Sequence, residues 1–201
     1  MPDNIIHVDF SRPSEPERVT VPWDAVRDFV WAMPNHNTFS IKPIKDFVAR
    51  WTLGADIIVD PFARDSRIGT ITNDLNPDTD AQYHMKAEAF LNCLLTQGVE
   101  ADVVLYDPPY SVRQVSECYK IAGLEVTQQD TQASFYTKVK DNIKPLVKDN
   151  GIVLSFGWNS TGVGKEGFIT EEIMLVSHGG PHNDTICVAQ RKQDNSQGEL
   201  L

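Results

Sequence analysis

The sequence predicts an α/β domain built around a mostly parallel β-sheet, with an antiparallel hairpin at its C-terminal edge. Short apolar runs alternate along the chain with amphipathic segments, which is the pattern of buried parallel strands joined by helices. The last two apolar runs are separated only by the turn-forming sequence HGGPHND, which is typical of a hairpin. With 201 residues, 41% of them hydrophobic, the chain is long and apolar enough to bury one core.

The individual elements follow from the same patterns. Residues 1–34 are predicted to be an N-terminal extension, 35–192 the folded domain and 193–201 a flexible tail. The apolar residues after Pro22 predict a short helix in the extension, and residues 111–134 are predicted to be irregular. The domain is predicted to contain helices over residues 44–53, 81–95 and 136–147, and strands over 57–59, 69–74, 102–106, 152–156, 173–178 and 185–190.

The composition excludes several classes of protein. A formal net charge of -10 argues against a basic nucleic-acid coat protein or a membrane-surface protein. There is no apolar run of about 18 residues and no secretory signal, so we expect no membrane partner. The three cysteines, Cys93, Cys118 and Cys187, lie far apart in the chain, which favours a reducing, cytoplasmic location and argues against a cysteine metal clamp.

Acidic residues stand at the ends of three predicted strands: Asp60, Asp74 and Asp107. In an open parallel sheet, ligands bind outside the carboxyl ends of the strands. One aspartate after a strand is a common turn former, but three at successive strand ends favour a shared site. We therefore expect these carboxylates to lie along one edge of the sheet.

The most specific feature is the sequence Asp107-Pro108-Pro109-Tyr110, directly after a buried strand. Two prolines cannot continue a sheet, and they hold the backbone in a rigid conformation. The segment therefore combines a carboxylate, carbonyl acceptors and an aromatic ring in one stiff site. Such a set suits a planar amino group, because its two hydrogens need two acceptors and its heterocycle can stack on the ring.

This segment resembles the signature of S-adenosylmethionine-dependent methyltransferases that act on amino groups, especially the adenine amine of DNA. Asp60-Pro61-Phe62 is similar to the first cofactor motif of that family, and residues 37–43 are similar to its segment over the methionine end of the cofactor. The resemblance covers roughly residues 35–192 and implies a Rossmann-like class I methyltransferase fold, with S-adenosyl-L-methionine as cofactor. The cofactor contacts that it implies are Lys42, Pro43, Asp60, Pro61, Phe62, Asp74 and Glu88.

The resemblance also implies a mechanism of direct transfer. The side chain of Asp107 and the carbonyl of Pro108 would accept the two hydrogens of the N6 amine and aim its lone pair at the methyl group. A base in duplex DNA would first leave the stack, and Tyr110 would pack against it. Phe156 or Trp158, after the next predicted strand, would supply the opposing apolar face.

Two features leave alternatives open. Arg64 and Ser66 stand where the family commonly has glycines, which favours a catalytically inactive binding protein as an alternative. RNA adenine, a free nucleotide and a protein amide are alternative acceptors, and the net charge of -10 favours the non-polymeric ones among them. The chain has no room for a separate recognition domain, so base contacts would come from residues 111–137, from a second copy in a homodimer, or from a helper subunit.

Overall fold

The computed structural model describes residues 26–125, 127 and 133–194, which form one seven-stranded sheet with helices packed on both faces. A short 3₁₀ turn, Thr38–Ser40, precedes the first α-helix. The strands are β1 (Val26–Trp31), β2 (Ile58–Asp60), β3 (Ile71–Thr72), β4 (Ala101–Tyr106), β5 (Val147–Gly157), β6 (Phe168–Ser177) and β7 (Thr185–Lys192). The helices are α1 (Lys42–Trp51), α2 (Ala87–Thr96), α3 (Val112–Ile121) and α4 (Ala133–Leu146).

The strand order is β1-β6-β7-β5-β4-β2-β3. Strand β2 pairs in parallel with both β3 and β4, and β4 pairs in parallel with β5. Strand β7 is antiparallel to both β5 and β6, so the prediction of a mostly parallel sheet with an antiparallel C-terminal hairpin is confirmed. Strand β1 lies outside this hairpin and pairs in parallel with β6.

The predicted helix after Pro22 is wrong for the part of it that the structure describes. Residues Val26–Trp31 form strand β1, which pairs with β6 although it precedes residue 35. Phe29 and Trp31 are exposed, whereas Val30 between them packs against the core, so the side chains alternate with the period of a strand. Apolar residues on the exposed face of an edge strand hide this alternation in the sequence. Residues 1–25 lie outside the described residues.

The core has two parts, one on each face of the sheet. Helix α1 covers one face, where Phe47 packs against Phe156 with ring centroids 6.3 Å apart. Helices α2 and α4 cover the other face, where Phe90, Leu94 and Ile143 are fully or almost fully buried. Because both faces of the central strands are covered, β4 is buried along most of its length, and β5 is buried over residues 151–156. Their carboxyl ends are therefore held rigidly.

Two helices differ from the prediction. Helix α2 begins at Ala87 rather than at residue 81, because the Asn73 side chain donates to the carbonyls of Pro61 and Met85, both at 3.0 Å, and holds the preceding segment extended. Helix α3 lies within a segment predicted to be irregular, and the Ser111 side chain caps its N-terminus. None of the helices in the described ranges is long and apolar enough to cross a membrane.

Candidate active site

The structure brings the three strand-end acids together at the carboxyl edge of the sheet. Asp60 is the last residue of β2, Asp74 follows β3 and Asp107 follows β4. Their charges interact, since Asp107 and Asp74 both raise the pKa of Asp60. The expectation that these carboxylates share one edge is therefore met by the geometry.

Asp60 is fully buried beneath this edge. The pKa of its carboxyl is raised to about 8, mainly because of burial. The backbone hydrogen bond from Phe62 lowers this pKa, and the charges of Asp107 and Asp74 raise it further. The Asp60 Oδ1 atom accepts that hydrogen bond from the Phe62 amide at 3.1 Å. Its Oδ2 atom has no hydrogen-bond partner among the described residues. A buried polar atom of this kind is uncommon in folded proteins.

The loop after β2 is tied to Asp74 through Arg64. The Arg64 amide donates to Asp74 Oδ2 at 3.0 Å, and its backbone has a φ of 50°, a left-handed conformation that favours glycine. Its guanidinium donates to the carbonyl of His36 at 2.9 Å, in the segment before α1. Arg64 therefore adopts a backbone conformation that favours glycine, and its side chain also joins two segments of the site.

Two clefts open at this edge and meet at Phe62, which lines both. The first cleft is largely apolar, and the second is more polar. The first is lined by Pro61, Phe62, Asn73, Asp74, Leu75, Met85, Lys86, Ala87, Pro109, Val115, Cys118, Tyr119 and Phe135. The second is lined by His36, Asn37, Thr38, Phe39, Phe62, Ala63, Arg64, Asp65 and Asp107.

Four of the predicted cofactor residues line neither cleft: Lys42, Pro43, Glu88 and the buried Asp60. Lys42 is exposed and pairs with Asp46 on the same helix at 2.7 Å, and Pro43 follows it in the first turn of α1. Glu88 faces α4, where its carboxylate is 4.0 Å from the Lys138 ammonium. The polar cleft is instead lined by residues 36–39, just before the predicted pair, because α1 begins at residue 42 and turns away.

The segment after β4 separates these clefts from a third cavity. Asp107 lines the polar cleft and Pro109 lines the apolar cleft. Tyr106, Pro108 and Tyr110 instead line the third cavity, which we call the acceptor cavity. Successive residues therefore face opposite sides, as along a β-strand.

Asp107 is held by side chains from both sides of this segment, Thr38 at the polar cleft and Tyr110 at the acceptor cavity. The Tyr110 hydroxyl donates to Asp107 Oδ1, and the Thr38 hydroxyl also hydrogen-bonds to this carboxylate. Burial raises the pKa of Asp107, and these hydrogen bonds and the charge of Arg64 lower it only in part. The sequence analysis missed Thr38, although it lies within the segment that the resemblance covers.

The ring of Tyr110 stacks on the ring of Trp158, with centroids 5.8 Å apart and planes inclined by 24°. Of the two aromatic residues that the sequence suggested, Trp158 is thus the one opposite Tyr110. Phe156 packs in the core against Phe39. The Tyr136 hydroxyl donates to the carbonyl of Pro109 at 2.7 Å, so helix α4 holds the segment from the other side.

The acceptor cavity has a volume of about 370 Å³, which lies within the range of small-molecule sites. It is lined by Tyr106, Pro108, Tyr110, Tyr136, Thr137, Lys140, Ser155, Phe156, Gly157, Trp158, Asn159 and Gly162. The loop that carries Trp158 is anchored from β7 by Gln190, which accepts from the Val163 amide at 2.8 Å and donates to the Gly164 carbonyl at 2.8 Å. The described residues include no cluster of His, Cys, Asp and Glu suited to a metal ion.

No protein-family model and no curated protein matches this chain. Solved structures do match it. SMU.776, described as a methyltransferase and complexed with SAH, aligns with a TM-score of 0.52 and 10% identity over 75% of this chain and 48% of that one. A Streptococcus mutans protein assigned as SAM-dependent methyltransferase aligns with a TM-score of 0.50 and 10% identity over 74% of this chain and 48% of that one.

The chain has a Rossmann-like class I methyltransferase fold. It spans about half the length of these two structures. The clefts described above lie at the carboxyl ends of β2, β3 and β4, which is where open α/β sheets bind ligands.

Proposed function

We propose that this protein transfers the methyl group of S-adenosylmethionine to the exocyclic N6 amine of adenine in DNA. One observation carries this proposal. The Asp107 carboxylate lies between two clefts of complementary polarity and a cavity with stacked aromatic rings. An amino group that enters beside Tyr110 would meet this carboxylate and the neighbouring carbonyl of Pro108.

The residues at the two clefts fit the cofactor. Its adenine suits the apolar cleft beside Met85, and the ribose hydroxyls suit the carboxylate of Asp74. Its charged methionine end suits the polar cleft, whose lining includes Arg64, Asp65 and Asp107. When bound, S-adenosylmethionine supplies an electrophilic methyl group on a positively charged sulfur.

Asp107 and Pro108 would act on the amine itself. The lone pair of an adenine amine is delocalised into the ring, so the nitrogen is a poor nucleophile. Two acceptors that hold its hydrogens favour a tetrahedral nitrogen with a localised lone pair. The amine nitrogen gains a methyl group and loses a proton, and burial that raises the pKa of Asp107 makes this carboxylate a better acceptor for that proton.

The hydrogen bond from the Tyr110 hydroxyl to Asp107 would break when the target base enters. In the structure, the Tyr110 hydroxyl occupies an acceptor atom that the amine needs. The rings of Tyr110 and Trp158 are 5.8 Å apart, whereas a base sandwiched between two rings needs about 7 Å, twice the stacking distance of bases. Trp158 is half-exposed, so a small outward movement of its loop suffices. Stacking on either ring would then stabilise a base outside the duplex.

Target recognition would rest on a small part of the chain. Helix α3 carries Arg113 and Lys120, which are candidates for contacts with bases or phosphates. The segment 111–137, from which base contacts were predicted to come, also contains Gln128, Gln129 and Gln132. These three residues lie outside the described residues. A second copy of the chain or a helper subunit would enlarge this surface, and the protein's mass in complex with DNA tests that possibility.

The test of the proposed activity is transfer of labelled methyl from S-adenosylmethionine to unmethylated DNA at low salt, because phosphate contacts weaken with salt. Wild type, Asp107→Ala and the matched surface variant Asp141→Ala are compared. We expect label in adenine with wild type and Asp141→Ala, and none with Asp107→Ala, which still binds cofactor in calorimetry.

Other outcomes would identify the alternatives. Cofactor binding without label in DNA would favour RNA, a nucleotide or a protein amide as acceptor. Absence of both label and cofactor binding would overturn the methyltransferase proposal and favour an inactive binding protein with this fold. The conformation of Arg64, which preserves the glycine-like turn, argues for cofactor binding.

A further inference from the structure

Two hydroxyl groups in the wall of the acceptor cavity have no partner in the described part of the chain. Tyr106 is 4% exposed and Ser155 is 5% exposed, and both line the cavity. Neither Tyr106 Oη nor Ser155 Oγ has a hydrogen bond among the described residues. Buried hydroxyls are nearly always hydrogen-bonded in folded proteins, because burial without a partner costs the free energy of desolvation.

The two residues lie side by side on neighbouring strands. Tyr106 and Ser155 are direct partners in the pairing of β4 with β5, so their side chains share one face of the sheet. Lys140 of α4 lines the same cavity, with its Nζ atom 5.8 Å from the centroid of the Tyr106 ring. Burial raises the pKa of Tyr106 and lowers the pKa of Lys140. The Tyr106 phenol therefore stays a donor at neutral pH.

The position of this group relative to the reacting site defines what it can touch. Tyr106 directly precedes Asp107 but faces the acceptor cavity, as Pro108 and Tyr110 do. A base whose amine reaches Asp107 would therefore bring its ring into the cavity beside these hydroxyls. In adenine, the ring atoms next to the amine, N1 and N7, carry no hydrogen and accept hydrogen bonds.

We propose that Tyr106 and Ser155 form a subsite that donates a hydrogen bond to a ring nitrogen of the target adenine, N1 or N7. Lys140 adds a further donor at the cavity wall. The subsite selects a ring with an acceptor beside the amine, and the donating hydroxyl gains its partner only when that ring is present. This inference rests on the proposed adenine methyltransferase function.

The experiment uses oligonucleotides that carry the mapped target with adenine, 1-deazaadenine or 7-deazaadenine, because each analogue lacks one of the two acceptors. Methyl transfer by wild type, Tyr106→Phe and Ser155→Ala is compared as kcat/KM. We expect wild type to lose about tenfold with one analogue, and the hydroxyl variants to lose a similar factor with adenine. The variant and analogue losses should not multiply, because both remove the same hydrogen bond.

The result distinguishes the two proposals. Cofactor binding by each variant, measured by calorimetry, shows that the fold and the clefts are intact. Equal kcat/KM for adenine and both analogues, or losses that multiply in each variant, would overturn the subsite while leaving the methyltransferase function in place. If wild type transfers no methyl group to adenine at all, the proposed function fails and the subsite assignment fails with it.

Discussion

Replacing the buried carboxyl of Asp60 by an amide should stabilise the protein more as the pH rises. The pKa of Asp60 is about 8 in the folded protein, against 3.8 without its surroundings. Between these values the unfolded chain releases the proton while the folded chain keeps it, so the free energy of unfolding falls as the pH rises. The loss is about 1.4 kcal/mol per pH unit, or about 4 kcal/mol between pH 5 and pH 8.

Asp60→Asn does not titrate, so its advantage over wild type should increase by about 4 kcal/mol over that range. Any cost of the new amide hydrogens without an acceptor is the same at every pH and cancels from this difference. Urea unfolding, followed by tryptophan fluorescence at pH 5, 6, 7 and 8, measures it. A difference between variant and wild type that stays flat across these pH values would refute the reasoning.

Asp102→Asn is the control. Asp102 lies at the start of β4, and a hydrogen bond from Lys148 is the main cause that lowers its pKa, followed by the bond from the Ile57 amide. A lowered pKa contributes stability that is fully present above 3.8 and is lost only as the pH falls below that value. Asp102→Asn should therefore lower the free energy of unfolding by a constant amount between pH 5 and pH 8.

Three further substitutions test other parts of the site. A Cβ atom at Gly162 would lie 2.0 Å from Gln190 Oε1, and the φ angle of Gly162 is +53°. Gly162→Ala should therefore lower the free energy of unfolding in urea by about 2 kcal/mol. It should also lower kcat/KM for the acceptor without changing the cofactor Kd. Arg64→Gly keeps the turn but loses the hydrogen bond to His36, so calorimetry should show a cofactor Kd about fivefold higher; an unchanged Kd would contradict the joining role of the guanidinium. Glu172 is buried and accepts hydrogen bonds from two side chains of α1, so Glu172→Ala should lower the free energy of unfolding by about 3 kcal/mol, and a loss below about 1 kcal/mol would count against it.

The central strands were predictable because their environment is uniform along the chain. Strand β2, strand β4 and the second half of β5 are covered on both faces, so they show as mostly apolar runs that are followed by an acid or a glycine. Helix α3 does have a signal in the sequence: Ser111 caps it, and its buried residues Val115 and Tyr119 are one helical turn apart. Most of its surface is polar, and polarity alone resembles a loop.

The site was predictable where its geometry is local and unpredictable where it depends on distant segments. The two prolines fix Asp107 at the end of its strand whatever the rest of the chain does. The partners of Glu88 and Lys42 come from α4 and α1, and no spacing in the sequence reveals which way these side chains face. The unpaired hydroxyl of Ser155 is equally hidden, because a serine in an apolar strand reads as a neutral substitution.

The segment after β4 presents alternate residues to its two sides. Substitutions at 106 and 110 change the acceptor cavity, while those at 107 and 109 change the two clefts on the other side. Apart from position 107, whose carboxylate acts on the amine from the cleft side, point mutations can therefore change the two halves of the reaction independently. A single-residue insertion or deletion in β4 would instead exchange the sides of the residues between it and position 110. The Asp107 carboxylate would then face the acceptor cavity, and the Tyr110 ring would face the clefts. Length, more than identity, is thus the property of this strand that selection has to keep.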